Sequence, residues 1–148
     1  MKRVRVTAGV AVAVAAAIYL RDPAWLGSVT SGLGGWQGPP GARFRWTTGH
    51  ASFFVPSDAT GLTLPLKAGS AATSDRPVTV AVSVDDRWLA TIELQDPSGW
   101  LQSTLPLPRK STSRRVRRID LRVNRTLGPF SQGVQLGEIK IARPPSGP

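Results

Sequence analysis

The chain has 148 residues, 41% of them hydrophobic, and nineteen basic side chains against nine acidic ones give it a formal charge of +10. It contains no cysteine, which excludes disulfide staples and thiolate chemistry; for an exported domain this favours a bacterial envelope over a disulfide-rich secreted setting. With the N-terminal segment and a linker set aside, roughly 105 residues remain, enough for one domain with a modest core.

Lys2, Arg3 and Arg5 precede an uncharged run, Val6 to Leu20, rich in Ala and Val. A basic head followed by an apolar stretch addresses a chain to a membrane. The uncharged run alone would span roughly 22 Å as a helix, short against a hydrocarbon core of about 30 Å. Val4 lengthens it, Arg5 can snorkel to the head groups, and Tyr19 and Trp25 suit the far interface. Residues 1–21 are therefore expected to be a retained anchor, or else a signal peptide cut near Ala15 and Ala17. The basic head places the N-terminus in the cytoplasm and the remainder outside. The expected location is the bacterial inner membrane, single-pass, or export if the leader is cut.

Residues 22–42 read as a linker. Gly27, Gly32, Gly34, Gly35, Gly38, Pro39, Pro40 and Gly41 leave little to hold a helix or central strand. Trp25, Leu26, Leu33 and Trp36 are unusual in a spacer and are expected either at the membrane interface or docked on the domain.

From residue 43 to 143 the signal is strand after strand. Short strands are predicted over 43–47, 50–55 and 62–67. Val78, Val80, Val82 and Val84 alternate with smaller polar or Ala residues. Asp85-Asp86 then predicts a tight hairpin, since Asp tolerates turn geometry; calcium binding by this acidic pair would need many more oxygens. Beyond it Trp88, Ala90, Ile92 and Leu94 alternate with Leu89, Thr91 and Glu93, which predicts Trp88 in the core. Further strands fall over 100–107, 116–123 and 134–141. Val134 and Leu136 are out of phase with Ile139 and Ile141, so a bulge is expected at Gly137. Period-two alternation with β-branched enrichment marks half-buried strands of antiparallel sheets. The expected fold is all-β: an antiparallel two-sheet sandwich, a jelly roll of about eight strands, preceded by one transmembrane or signal helix. Residues 144–148 are expected to be a disordered tail.

Few residues carry obvious chemistry. His50 is the only histidine, and no Gly-x-Ser-x-Gly elbow, His-Glu-x-x-His helix or P-loop occurs. No catalytic residue, metal site or cofactor is expected. Trp46 and Trp100, on strands flanked by turns, could present flat rings to sugars, with His50 and nearby Arg residues for the hydroxyls; ordinary sandwich packing is the alternative. The excess charge is local: Arg109, Lys110, Arg114, Arg115, Arg117, Arg118, Arg122 and Arg125 face the single Asp120. Arg118, Asp120, Arg122 and Asn124 form the outward side of a strand whose inward side is Ile119, Leu121 and Val123, with Arg115 and Arg117 beyond the core edge. Such a patch suits anionic lipid or acidic envelope polymers. Nucleic acid fits the charge but not the address.

The run VTVAVSVDDRWLATIELQDPSGWLQSTLPLP, with the later IDLRVNRT and GVQLGEIKI, resembles the galactose-binding-like jelly rolls that include many carbohydrate-binding modules. The resemblance covers residues 43–143 as a pattern of strands without a catalytic signature. It implies a jelly roll and a binding role, often for glycans. The expected partners are thus the membrane through the N-terminal helix, and a glycan or envelope polymer. The alternative is a structural accessory that docks on a membrane protein complex or anionic lipid through the Arg-rich patch.

Overall fold

The computed structural model describes residues 2–69, 76–109, 114–128 and 130–145. Lys110 and the rest of its loop lie outside the described residues, as do the last three of the expected tail. The chain opens with helix α1 (Lys2–Arg21), long and apolar enough to cross a membrane or to act as a signal sequence. Its Val10, Val12, Val14, Ile18 and Tyr19 are exposed. Twenty helical residues rise about 30 Å, longer than the uncharged run alone.

Among the described residues nine strands follow: β1 (Thr30–Leu33), β2 (Phe44–Pro56), β3 (Gly61–Lys67), β4 (Val78–Val84), β5 (Arg87–Leu94), β6 (Leu101–Pro106), β7 (Val116–Val123), β8 (Gln135–Gly137) and β9 (Lys140–Ala142). All pairings are antiparallel. One sheet runs β5-β4-β7-β2 with β1 on its edge; the other runs β2-β8-β3-β6, with β9 also on β3. This is the expected two-sheet sandwich, with nine strands. The two strands predicted over 43–47 and 50–55 are one. Strand β2 pairs with β8 through Phe44–Trp46 and with β7 through His50–Pro56, so it belongs to both sheets. The crossing is held at Thr47, which is buried, donates its N–H to the Val134 carbonyl and accepts the Val134 N–H on Oγ1.

Alternation decides the core. Leu62, Leu64 and Leu66 of β3, Val78, Val80 and Val82 of β4, and Ile119 and Leu121 of β7 are all fully buried, each stabilising the fold by roughly 1.5–3 kcal/mol. At the β4–β5 turn both Asp85 (φ 50°) and Asp86 (φ 65°) are left-handed, as a two-residue type I′ hairpin requires. The anticipated irregularity near Gly137 is present. Leu66 pairs with Leu136 and Thr63 with Lys140, so the β8–β9 side holds one residue more than β3 does.

Three expectations are corrected. Trp88 is not in the core: it is 70% exposed. The register shifts between Val82–Ala90 and Ser83–Trp88, so Leu89 is an extra residue; this bulge reverses parity, turning Leu89 toward the core and Trp88 to solvent. Arg117 does not lie beyond the core edge but is 3% exposed, held by Asp85; Asp120 is on the outward side as expected, where His50 and Arg118 cover it to 5% exposure. The Gly/Pro-rich segment 22–42 is not a free spacer. It forms a 3₁₀ turn, Ala24–Ser28, and its β1 pairs with β2 from Thr30–Phe53 to Leu33–Thr47. Gly32 makes this pairing possible. Its φ is +64°, and a Cβ there would lie 2.0 Å from the His50 carbonyl oxygen, so any side chain separates the strands. Gly32→Ala is expected to detach β1 and cost about 1–3 kcal/mol. Hydrogen exchange would show this as lost protection at β1 with protection at β4 and β7 retained.

Candidate functional site

The outward side of the β2-β8-β3-β6 sheet carries a groove of about 370 Å³ lined by Arg43, Pro65, Trp100, Gln102, Gly137 and Glu138, among others. Gly137 pairs with Phe44, and a Cβ on Gly137 would lie 3.0 Å from the Pro65 Cβ and 3.5 Å from the Trp100 ring. Gly137 therefore lets Pro65 and Trp100 pack close against the strand where they line the groove. Phe44 packs against the Trp100 ring, with centroids 6.3 Å apart at 59°. Trp100 is 43% exposed, so the rest of its ring is packed and its orientation is fixed.

Trp100 divides this groove from a second, of about 290 Å³, bounded by Glu93, Asp96 and Leu101. A third hollow, of about 460 Å³, shares Arg43 and Glu138 with the first and adds Trp36, Arg45 and Ile139. Within it the Arg45 guanidinium lies 4.6 Å above the Trp36 ring, a cation–π contact. Burial holds the Arg45 guanidinium below its ordinary pKa, and its Nε has no hydrogen-bond partner among the described residues. The three hollows form a chain with a tryptophan in each wall and Arg, Glu, Gln and Lys side chains along the rim. Flat apolar faces between planar polar groups suit pyranose rings, whose CH faces stack while their hydroxyls bond in the ring plane.

The loop before Trp100 is fixed by Asp96. Its Oδ1 accepts the Ser98 N–H at 2.8 Å and the Ser98 hydroxyl at 2.7 Å. The Ser98 hydroxyl, then the Ser98 N–H, with smaller help from the Gly99 N–H and the Lys67 charge, hold the Asp96 carboxyl below its ordinary value against a small opposing effect of desolvation. A depressed carboxylate contributes stability that is present above its unfolded pKa and is lost as pH falls through the folded value. The turn is thus expected to hold at neutral pH and to loosen only on acidification below the usual Asp range. A carboxyl-resolved NMR titration checks this: the Asp96 midpoint should lie below that of a peptide Asp and rise in Ser98→Ala.

The structure separates the residues singled out for sugar contact. Trp100 lines the groove. Trp46 is half-buried on the same side of β2 as Phe44, with Gly69 against its ring. His50 is in the other half of β2, pairs with Arg122, and its Nε2 lies 3.0 Å from Asp120 Oδ1. It is therefore on the other sheet, away from Trp100. Trp36, Arg43, Arg45, Gln102 and Glu138 were missed. The aromatic content of the Gly/Pro segment was the one signal that could have pointed to Trp36.

The Arg-rich run is also divided. Arg117 donates to Asp85 Oδ2 at 2.9 Å and to the Pro108 carbonyl at 2.6 Å. Arg118 donates from Nε to Asp120 Oδ2 at 2.8 Å and also pairs with Asp86, and these carboxylates, Asp120 first, raise its pKa. Arg115 is bound to Asp22, and Arg125 donates to the Arg76 carbonyl at 3.2 Å. Arg109, Arg114 and Arg122 are exposed. Much of the local charge is thus neutralised by carboxylates distant in sequence, and Asp85-Asp86 serves as a counter-ion pair for guanidinium groups.

Fold and surface together define an antiparallel jelly roll with an aromatic, polar-rimmed trough on one sheet. Among solved structures, the chain is similar to a family 6 carbohydrate-binding module whose sub-sites were dissected by crystallography and calorimetry, at 15% identity and a TM-score of 0.47 over 78% of this chain and 87% of that one. It is similar to a family 6 module from Clostridium stercorarium solved with cellobiose, at 14% identity and a TM-score of 0.45 over 78% and 87% of the two chains. It is also similar to a family 35 carbohydrate-binding module from an environmental isolate, at 16% identity and a TM-score of 0.47 over 75% and 86%. No protein-family model matches the sequence, and no curated protein does.

Proposed function

We propose that this chain is a non-enzymatic, membrane-anchored, extracytoplasmic β-sandwich that binds a carbohydrate polymer of the cell envelope along the trough Trp100 divides. The observation that carries the reading is a half-packed, 43% exposed indole bordering two neighbouring grooves. A single enclosed pocket would favour a small ligand; a chain of open hollows favours several consecutive sugar units. Rim charges of both signs, Arg43 and Lys140 with Glu138, suit hydroxyls and occasional carboxylates. The acidic groups of the other sheet serve as structural counter-ions. Asp85, Asp86 and Asp120 are engaged by Arg117, Arg118 and His50. Among the described residues no hydroxyl bonds to the His50 ring. The address is supported by the basic head and the apolar α1.

Calorimetry and glycan arrays with the detergent-solubilised full chain test the proposal. Saturable binding of an envelope polysaccharide, tightening from mono- to oligosaccharide, is the expected result. Absence of binding across neutral and acidic envelope glycans would overturn it.

A further inference from the structure

The end of the sandwich where α1 arrives is built differently from the groove end. Asp22 follows the last residue of α1 directly and is already fixed to the domain. Its Oδ2 accepts the Arg115 N–H at 2.6 Å, its carbonyl accepts from the Arg115 guanidinium at 2.9 Å, and Arg115 Nε lies 3.6 Å from Oδ2. Pro23 is buried, the 3₁₀ turn brings Gly27 against Val116, and β1 then pairs with β2. A flexible tether of n residues spreads over roughly 5–6 Å × √n; here no free residue stands between helix and domain.

The same end presents a surface suited to head groups. Trp25, 58% exposed, sits one turn beyond the end of α1, where an amphipathic ring belongs in a membrane protein. Arg115 keeps a side chain 64% exposed despite its pair, and Arg109 and Arg114 are exposed nearby in sequence. Asp58 marks this end too, since Ser57 donates its N–H to the Arg115 carbonyl at 2.8 Å. The groove is at the other end: Phe44 begins β2 while Pro56, which pairs with Val116, ends it.

We infer that the Asp22–Arg115 junction seats the domain directly on the bilayer, with Trp25 and the neighbouring arginines at the lipid head groups and the sugar trough facing away. This rests on the reading of α1 as a retained anchor. The docked segment replaces the expected spacer, so the domain has a fixed orientation rather than a long tether.

The absence of native cysteine makes the test direct. Asp58→Cys and Leu127→Cys, at opposite ends of the sandwich, are labelled with a fluorophore in the full chain. Each is reconstituted in phosphatidylcholine–phosphatidylglycerol vesicles carrying a head-group quencher. The label at 58 should be quenched about threefold more than that at 127, and Asp22→Asn with Arg115→Gln should reduce the difference as the tether lengthens. Equal quenching at both positions in chains that float with the vesicles overturns the seating while leaving the anchor intact. Chains that wash off the vesicles in alkaline carbonate overturn the anchor reading, and the seating with it.

Discussion

Replacing Asp85 by Ala is expected to destabilise the domain by about 3–5 kcal/mol, because it leaves a buried guanidinium without its carboxylate. The Arg117 side chain is 4% exposed, and its partners are Asp85 Oδ2 and the Pro108 carbonyl. The other Asp85 oxygen accepts the Arg118 N–H at 3.0 Å. One carboxylate thus binds the start of β7 to the β4–β5 turn. Its left-handed φ of 50° adds to the effect, since Ala lacks the short polar side chain that eases this conformation. Asp85→Asn keeps the turn and one of the two acceptors, while its NH2 group faces the other donor. It should cost less, about 1–3 kcal/mol, the range for hydrogen bonds to charged groups. Asp86→Ala removes a partner whose side chain is 81% exposed, worth less than about 1 kcal/mol, and adds the same left-handed backbone penalty at φ 65°, so its cost should stay well below that of Asp85→Ala. Denaturant unfolding of the three variants measures the order. Equal effects for Asp85→Ala and Asp86→Ala would contradict the assignment, and Arg117→Met in the Asp85→Asn background should recover much of the loss.

The same turn shows what the sequence discloses and what it withholds. Alternating valines at 78–84 and the following Asp pair are enough to predict β4 and its hairpin, because residue parity and turn chemistry are local. Arg117 was legible only by its parity with Ile119 and Leu121. Its burial depends on Asp85, thirty-two positions away, and a residue-by-residue pattern carries no such pairing. Trp88 failed for a related reason. Its phase with Ile92 and Leu94 is real, but one extra residue in β5 reverses every side chain on its far side, and a bulge is fixed by pairing with β4. In the Gly/Pro segment, glycines that argue against a strand on propensity permit one here, since Gly32 takes a conformation and a contact distance closed to other residues. The groove was legible in one residue, Trp100, whose position after a turn suggested a rim. Its other walls come from β3, β6, β8 and β9, the β8–β9 connection and residues 41–43, which only the fold brings together.

Trp100→Ala is expected to weaken glycan binding roughly ten- to a hundredfold, or about 1.4–2.8 kcal/mol, while leaving the fold nearly unchanged. Loss of the indole removes the stacking surface and merges the two grooves it separates. The packed part of the ring touches Phe44 at the sheet surface, outside the core formed by Leu62, Leu64 and Leu136, so the stability cost should be small beside the binding loss. Trp100→Phe keeps an aromatic face and should lie between wild type and Ala. Gly137→Val tests the geometry from the other side: the new side chain enters a space already bounded at 3.0 Å by Pro65 and 3.5 Å by Trp100, so it should close the trough. Trp88→Ala is the necessary control. That ring is the more exposed of the two, at 70% against 43%, so a surface that bound sugars through any available tryptophan would depend on it more. If the trough is the site, calorimetry will find Trp88→Ala indistinguishable from wild type and Trp100→Ala severely weakened. The reverse order would move the site to the β5-β4-β7 sheet, where Trp88 faces solvent beside Ser83.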